Sequence, residues 1–308
     1  MPPVALGPRS WFTDLRYLDA PNLIACGVLE SDAGLLLVDP GPATTRAALE
    51  RALADRGATL ADVHAILLTH IHLDHAGVTG TLVAAHPAIQ VFVHEAGAPH
   101  LVQPDRLLQS ARRLYGAMMD RLWGAFLAVP ARNVHPLSGG ETLSFGERTL
   151  AVAYTPGHAR HHVSYLDRAS GTAFAGDTAG MRIRGTDYVL PVAPPPDIDL
   201  PAWHASLDTL RAWNPDRLFL THFGPVADVE PHLQAMAARL TAWGDAVRAS
   251  LEAGGDDDAH ASRFRQTVSR EVEAHVPPAL VPAYLRFGEP SASWHGLARY
   301  WRKHAERR

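Results

Sequence analysis

The chain has 308 residues, 47% of them hydrophobic, enough to bury a substantial core as one large domain or two modest ones. A formal charge of −4 and a pI near 6.5 give no general reason to expect nucleic acid or an anionic membrane as partner. The single cysteine, Cys26, excludes an intrachain disulfide. The opening residues lack the basic-then-apolar order of a secretory signal, and no segment is apolar for long enough to span a membrane, so a cytoplasmic protein is expected.

Leu23 to Leu29 and Leu35 to Val38 read as two strands joined by a turn at Ser31, Asp32 and Gly34. Asp39-Pro40-Gly41-Pro42 ends the second, and Thr44 or Thr45 is placed to cap a helix through about Arg56. Val63 to Leu68 and Gln90 to His94 are further strands, giving an alternating strand–helix order that favours an α/β architecture. Residues 97–130 break the rhythm with Leu107, Leu108, Leu114, Tyr115, Met118, Met119, Leu122, Trp123 and Phe126 at helical spacing. This is a helical insertion. It either roofs a pocket for an apolar substrate or packs on the core, as methionine and aromatic stripes commonly do.

Glu141 to Tyr154 reads as a hairpin turning at Gly146, followed by short strands at Val163 to Leu166 and Thr172 to Ala175. A proline-rich loop spans Asp187 to Leu200. A helix then begins at Pro201 with Trp203, Leu207, Leu210 and Trp213 on one face. Arg217 to Leu220 is the last clear strand. Residues 1–228 are therefore expected to form the catalytic domain, and 229–308 a helical C-terminal region. There, Trp294, Leu297, Ala298 and Trp301 recur at helical spacing and would pack on the core or on the second copy of a homodimer.

The 18 histidines matter through their positions. The strand at Val63 to Leu68 runs directly into Thr69-His70-Ile71-His72-Leu73-Asp74-His75. In extended backbone His70 and His72 point the same way and can grip one metal ion. Asp74 and His75 lie beyond a bend and can turn toward a second. Three imidazoles and a carboxylate so close together suit zinc or a similar borderline cation. Further along, His158 follows Thr155-Pro156-Gly157, Asp177 follows Ala175-Gly176, and His222 follows Leu220-Thr221. Each comes just after an apolar run with glycine nearby. Each is weak alone; with the first cluster they make seven ligands for two ions.

On these motifs, running from Asp39 to His222, the chain resembles the metallo-β-lactamase superfamily, and within it the glyoxalase II-like and lactonase-like hydrolases. The resemblance implies an αββα sandwich, here with the helical insertion and C-terminal appendage. It implies that His70, His72 and His158 bind one ion, that Asp74, His75 and His222 bind a second, and that Asp177 bridges them. The ions would be two divalent metals, zinc first, with iron or manganese also admissible. Asp74 and Asp177 would act catalytically by fixing metal spacing and orienting water. The implied activity is attack on the carbonyl of a small-molecule thioester or ester by a metal-bridging hydroxide. A lactone is the nearest alternative, and a nuclease or a mono-iron persulfide dioxygenase the alternatives of other classes.

Asp39 matches the family's aspartate after an early strand, supporting the site from behind, and reads equally as a turn carboxylate. The basic residues with which glyoxalase II holds glutathione are not recognisable. Arg182 and Arg184 are expected to be solvated loop charges, Cys26 a small buried residue, His162 structural and His161 exposed. Tyr165 and Tyr188 are candidate proton or oxyanion donors. The basic, aromatic end from Arg299 to Arg308 suggests phosphate contact, but cations also suit the last turns of a helix, so nucleic acid is disfavoured.

Overall fold

The computed structural model describes residues 3–305. Two sheets form its centre. The first holds β1 (Val4–Gly7), β2 (Ser10–Asp14), β3 (Ala25–Ser31), β4 (Gly34–Val38), β5 (Val63–Leu67), β6 (Gln90–His94) and β7 (Val134–Leu137), in that spatial order. Strands β1 to β4 are antiparallel, and β4 to β7 run parallel. The second sheet holds β8 (Thr142–Phe145), β9 (Arg148–Tyr154), β10 (Val163–Asp167), β11 (Thr172–Phe174), β12 (Arg217–Leu220) and β13 (Gly224–Val226), also in spatial order. Both the N-terminal hairpin and β7 escape a reading based on long apolar runs. Ser10–Asp14 is wholly buried although three of its five residues are polar.

Period-two alternation decides which side chains meet. Leu36 and Val38 of β4, Ala65 and Leu67 of β5, and Val163 and Tyr165 of β10 fill the space between the sheets with Phe12, Phe174, Phe219 and Phe223. Leu37 and Ile66 point to the opposite face of their sheet. There they pack with Leu49 and Leu53 of α1 (Arg46–Ala54) and Leu82 and Val83 of α3 (Thr79–Ala85), beyond the short α2 (Leu73–Ala76). The result is the expected sandwich. Neither threonine caps α1 through its side chain: the Thr45 hydroxyl donates to the Pro42 carbonyl and that of Thr44 to the Leu122 carbonyl.

The insertion forms α4 (Ala98–Val102), α5 (Asp105–Tyr115) and α6 (Met119–Leu122). On the outer face of the second sheet lies α7 (Leu200–Ala212), whose N-cap Asp199 accepts from the Ala202 amide. One core cluster joins Trp203, Leu207 and Leu210 of α7 to α8 (Val229–Glu252), α9 (Asp257–His275), α10 (Val281–Phe287) and α11 (Pro290–Ala305). Trp294, Leu297 and Ala298 are buried within this cluster, so the C-terminal stripe is consumed inside the chain. Arg302 pairs with Asp257, which leaves that cation engaged; Glu306, Arg307 and Arg308 lie outside the described residues. Among the described residues no helix is long and apolar enough to cross a membrane.

Candidate metal centre

The strands place seven polar side chains at one edge of the sandwich. His70 and His72 follow β5; Asp74 and His75 ride on the first turn of α2, whose N-cap is His72. His158 follows β9, Asp177 sits on the short 3₁₀ turn after β11, and His222 follows β12. Two glycines make these turns geometrically feasible. Gly157 has φ +132°, and a Cβ there would lie 2.3 Å from Trp203. At Gly176 (φ +47°) a Cβ would lie 2.6 Å from both Thr69 Oγ1 and His162 Nε2.

All seven side chains converge. His72 Nδ1 lies 2.9 Å from His70 Nε2 and 3.0 Å from His158 Nε2. Asp74 Oδ2 lies 3.3 Å from His222 Nε2 and 3.6 Å from His75 Nε2. Asp177 lies between the two groups. Its Oδ2 is 3.4 Å from His158 Nε2, and its Oδ1 is 3.3 Å from His75 Nε2 and 3.4 Å from His222 Nε2.

The tautomers can be worked out. His158 Nδ1 donates to the Val192 carbonyl at 2.7 Å, and His222 Nδ1 to the Leu23 carbonyl at 2.8 Å. His75 Nδ1 donates to Asp39 Oδ2 at 2.8 Å. The Thr69 hydroxyl spends its one hydrogen on Asp39 Oδ2, so it must accept from His70 Nδ1 at 3.1 Å. In their neutral form these four rings therefore carry the proton on Nδ1 and present a bare Nε2 to the cluster, the state a metal ligand requires. Asp39 is fully buried and also accepts from the Thr69 amide and the Thr221 hydroxyl, each at 2.8 Å. It is thus the hub behind His75 rather than a turn carboxylate alone. A local signal for this existed: Thr-His recurs at 69–70 and 221–222, and both hydroxyls reach Asp39.

Electrostatics agree with cation binding. Burial, then the surrounding imidazoles, push His70 well below the usual histidine range, and burial with His158 holds His72 at about 3. Burial would also lower His75, but Asp177, Asp39 and Asp74 outweigh it and raise it well above that range. Burial works to raise Asp74, yet His75 and the hydrogen-bonded His222 hold it at about 2. Asp177 is driven the same way by His75, His222 and His158. Among the described residues no lysine or arginine pairs with Asp39, Asp74 or Asp177, and buried Asp177 Oδ1 has no hydrogen-bond partner. Such buried carboxylates need cations. Two sets, His70–His72–His158 and Asp74–His75–His222, each offer ligand atoms within 4.8 Å of one another, and His70–His75–Asp177 links them. These nitrogen and oxygen donors fit divalent metal ions.

Other expected residues lie elsewhere. Tyr165 donates to the Leu68 carbonyl between the sheets, and Tyr188 reaches Glu271 under the Arg239 guanidinium, so both serve packing. Arg182 is no free loop charge, because it pairs with Asp187 and Asp228. Cys26 is buried. His162 is structural as expected, meeting Thr155 and Thr178 through Nδ1. His161 departs from expectation: it is 6% exposed, its ring 5.6 Å from that of His72, with Nδ1 unpartnered. Its neighbour His158 turns the segment inward at Gly157, which buries His161 too.

The family model of the metallo-beta-lactamase superfamily matches residues 20–222. A metallo-beta-lactamase fold-containing protein of Sulfurisphaera tokodaii is 30% identical over 195 residues, 62% of this chain and 70% of that one. A hydroxyacylglutathione hydrolase of Synechococcus is 33% identical over 137 residues, and the match spans 44% of this chain and only 41% of that enzyme. Among solved structures, a metallo-beta-lactamase family protein from Thermus thermophilus has a TM-score of 0.71 at 24% identity. That superposition covers 98% of this chain and 95% of the other, so the shared fold extends through the C-terminal helices.

Proposed function

The chain belongs to the metallo-beta-lactamase superfamily and is a metal-dependent hydrolase, and from that premise we propose that it cleaves a small-molecule thioester or ester at a two-metal centre. The observation that carries this reading is Asp177, whose two oxygens face two separate ligand sets. His70, His72 and His158 would hold one ion, and Asp74, His75 and His222 the other, with zinc the first expectation. Divalent ions bound there bring the pKa of water toward neutrality and polarise a carbonyl oxygen.

The chain's own groups do the rest. Asp39, Thr69, Val192 and Leu23 hold the ligand rings in one tautomer and one orientation, so little reorganisation is needed when substrate arrives. The Asp74 side chain retains 15% exposure, which lets its carboxylate accept a hydrogen bond from water entering the site. Asp177 fixes the spacing of the two halves.

The test is hydrolysis by metal-replete protein of acyl thioesters and acyl lactones side by side, with His72→Ala as the blank. Thioester turnover lost in the variant supports the reading; lactone turnover alone would move the substrate to ring esters. Cleavage of neither, with metal bound, would reject the carbonyl substrate class.

A further inference from the structure

An aromatic wall borders one end of the centre, and three distant stretches of chain build it. Tyr17 comes from the loop after β2, Tyr115 and Trp123 from the insertion, and Phe287 from the end of α10. Tyr17 and Trp123 stack with centroids 5.6 Å apart; Phe287 meets Tyr17 edge-on at 6.0 Å, and Tyr115 meets Trp123 edge-on at 5.1 Å. The Phe287 centroid lies 4.1 Å from that of His222. The ring contacts run unbroken from His222 through Phe287, Tyr17 and Trp123 to Tyr115. The indole N–H of buried Trp123 finds no acceptor among the described residues.

The two ends of the centre therefore differ. The His70–His72–His158 end is bordered by the imidazole of His161. The Asp74–His75–His222 end is bordered by the ring of Phe287, the first of the wall. Apolar surface also continues outward on the insertion: Leu114, Tyr115, Met118 and Leu127 are 55%, 37%, 42% and 44% exposed. Among the described residues only Tyr154 is a further large hydrophobic so exposed. Trp123 anchors the insertion in the core, with Leu107, Leu108, Met119, Leu122 and Phe126 packed against it, while these four side chains stay on its surface.

We propose that the accessible part of this wall binds an apolar chain or ring of the substrate, laid across Tyr115 and Phe287 beside the Asp74–His75–His222 end, with the buried rings of Tyr17 and Trp123 holding those two in place. The proposal rests on the hydrolase reading above, and it specifies the substrate as a hydrophobic thioester or ester. The reaction needs no co-reactant beyond water. Water adds to the carbonyl carbon, the C–S or C–O bond breaks, and a proton passes to the leaving thiolate or alkoxide. The apolar group belongs either to the acid or to the leaving group. Aromatic faces reward both by area removed from water.

Two substrate series separate the sources. One lengthens the acyl chain from acetyl to decanoyl on a fixed leaving group, and the other lengthens the leaving group on a fixed acetyl. In one series kcat/KM is expected to rise about fourfold per methylene until the wall is covered, as transfer of about 0.8 kcal/mol per methylene implies. Phe287→Ala and, separately, Tyr115→Ala should cut the long-to-short ratio about tenfold, mostly through KM. Phe287→Leu should restore much of it. Metal content and thermal unfolding of each variant check that the centre is intact, and Tyr115, being partly exposed, is the change least able to disturb the fold. Turnover independent of length in both series overturns the wall while leaving the hydrolase standing. If neither series turns over, the thioester-or-ester reading fails first. Calorimetry with acetate, butanoate and decanoate then reads the wall alone: affinity rising with length and lost in Phe287→Ala sustains it, and flat affinity overturns it. No acyl binding, together with dimers or vesicle association abolished by Leu114→Ser, would make the patch a docking face and likewise overturn the assignment.

Discussion

Asp39→Asn isolates the second layer of the centre from its ligands. Asparagine is the suitable replacement because Asp39 has φ +50°, a conformation it tolerates better than alanine does. Its carbonyl oxygen can keep the 2.8 Å bond from the Thr69 amide. The other position is the difficulty. Asp39 Oδ2 accepts from Thr69 Oγ1, Thr221 Oγ1 and His75 Nδ1, at 2.7, 2.8 and 2.8 Å. An amide NH₂ there is a donor facing three donors. The two hydroxyls can rotate away, but His75 has only one remedy: its proton moves to Nε2, the nitrogen that faces Asp74, Asp177 and His222. That blocks one ligand of the Asp74–His75–His222 set and none of the His70–His72–His158 set. Loss of such an outer partner typically costs about 10- to 100-fold in metal affinity, or about 1.4 to 2.7 kcal/mol. Metal titration followed by calorimetry should give two tight ions per chain for the parent, and for the variant one tight ion and one weakened by that factor. Activity should fall in step with occupancy of the weaker site and recover partly with excess metal. Two equally tight ions in Asp39→Asn would refute the tautomer argument.

Asp177→Ala should reduce turnover at least about a hundredfold, more than loss of an outer partner does, with circular dichroism unchanged; near-normal activity would sink the two-metal assignment. Metal-free protein should lose stability on acidification. His70, His72, His158, His161 and His162 all have folded pKa values depressed by burial, so below about 6.5 the unfolded chain binds protons that the folded chain refuses. Their contribution is full above that pH and is lost as pH falls, at up to about 1.4 kcal/mol per pH unit for each histidine. His75, raised instead, works in the opposite sense, but it is one against five. Urea unfolding between pH 7 and 5 measures the balance, and a flat or rising curve contradicts it. Arg148→Ala should cost about 3–5 kcal/mol by urea unfolding. It strands buried Asp167 and removes the donors to the Arg9 and Glu30 carbonyls that tie β9 to the N-terminal strands; a cost below 1 kcal/mol would mean the pair is replaceable by water.

What the sequence made legible follows from range. Five of the seven candidate ligand positions follow strands whose apolar runs are local, and His-x-His-x-Asp-His packs four of the seven into six residues. The sandwich was legible for the same reason, since alternation within Leu35–Val38 or Val63–Leu67 assigns each face without reference to the rest of the chain. Elements whose burial comes from elsewhere were not. Ser10–Asp14 has three polar residues in five and gains its place by pairing with β1 and β3, and His161 is buried in a segment that enters the site just after the positive-φ turn at Gly157.

The aromatic wall is the extreme case. Tyr17, Tyr115, Trp123 and Phe287 are spread over 271 positions, and none has a motif around it. Trp123 and Tyr115 fit a helical stripe, whose ordinary meaning is core, and Phe287 lies 65 positions beyond the last ligand. Only the packing of α8 to α11 onto the second sheet returns Phe287 to the face of His222. The candidate metal centre is thus local chemistry repeated at strand ends. The half that would choose a substrate is assembled from the N-terminal loop, the insertion and the C-terminal helices, the three parts of the chain that lie outside the strand-end motifs. On the proposal above, substitutions at Tyr115 or Phe287 would change substrate preference with every candidate ligand residue kept. The length-dependence of the Phe287→Ala variant and the metal occupancy of Asp39→Asn should accordingly vary independently: their double variant should show additive losses within about 0.5 kcal/mol. Marked non-additivity would mean that Phe287 acts through His222 on the metal rather than on the substrate.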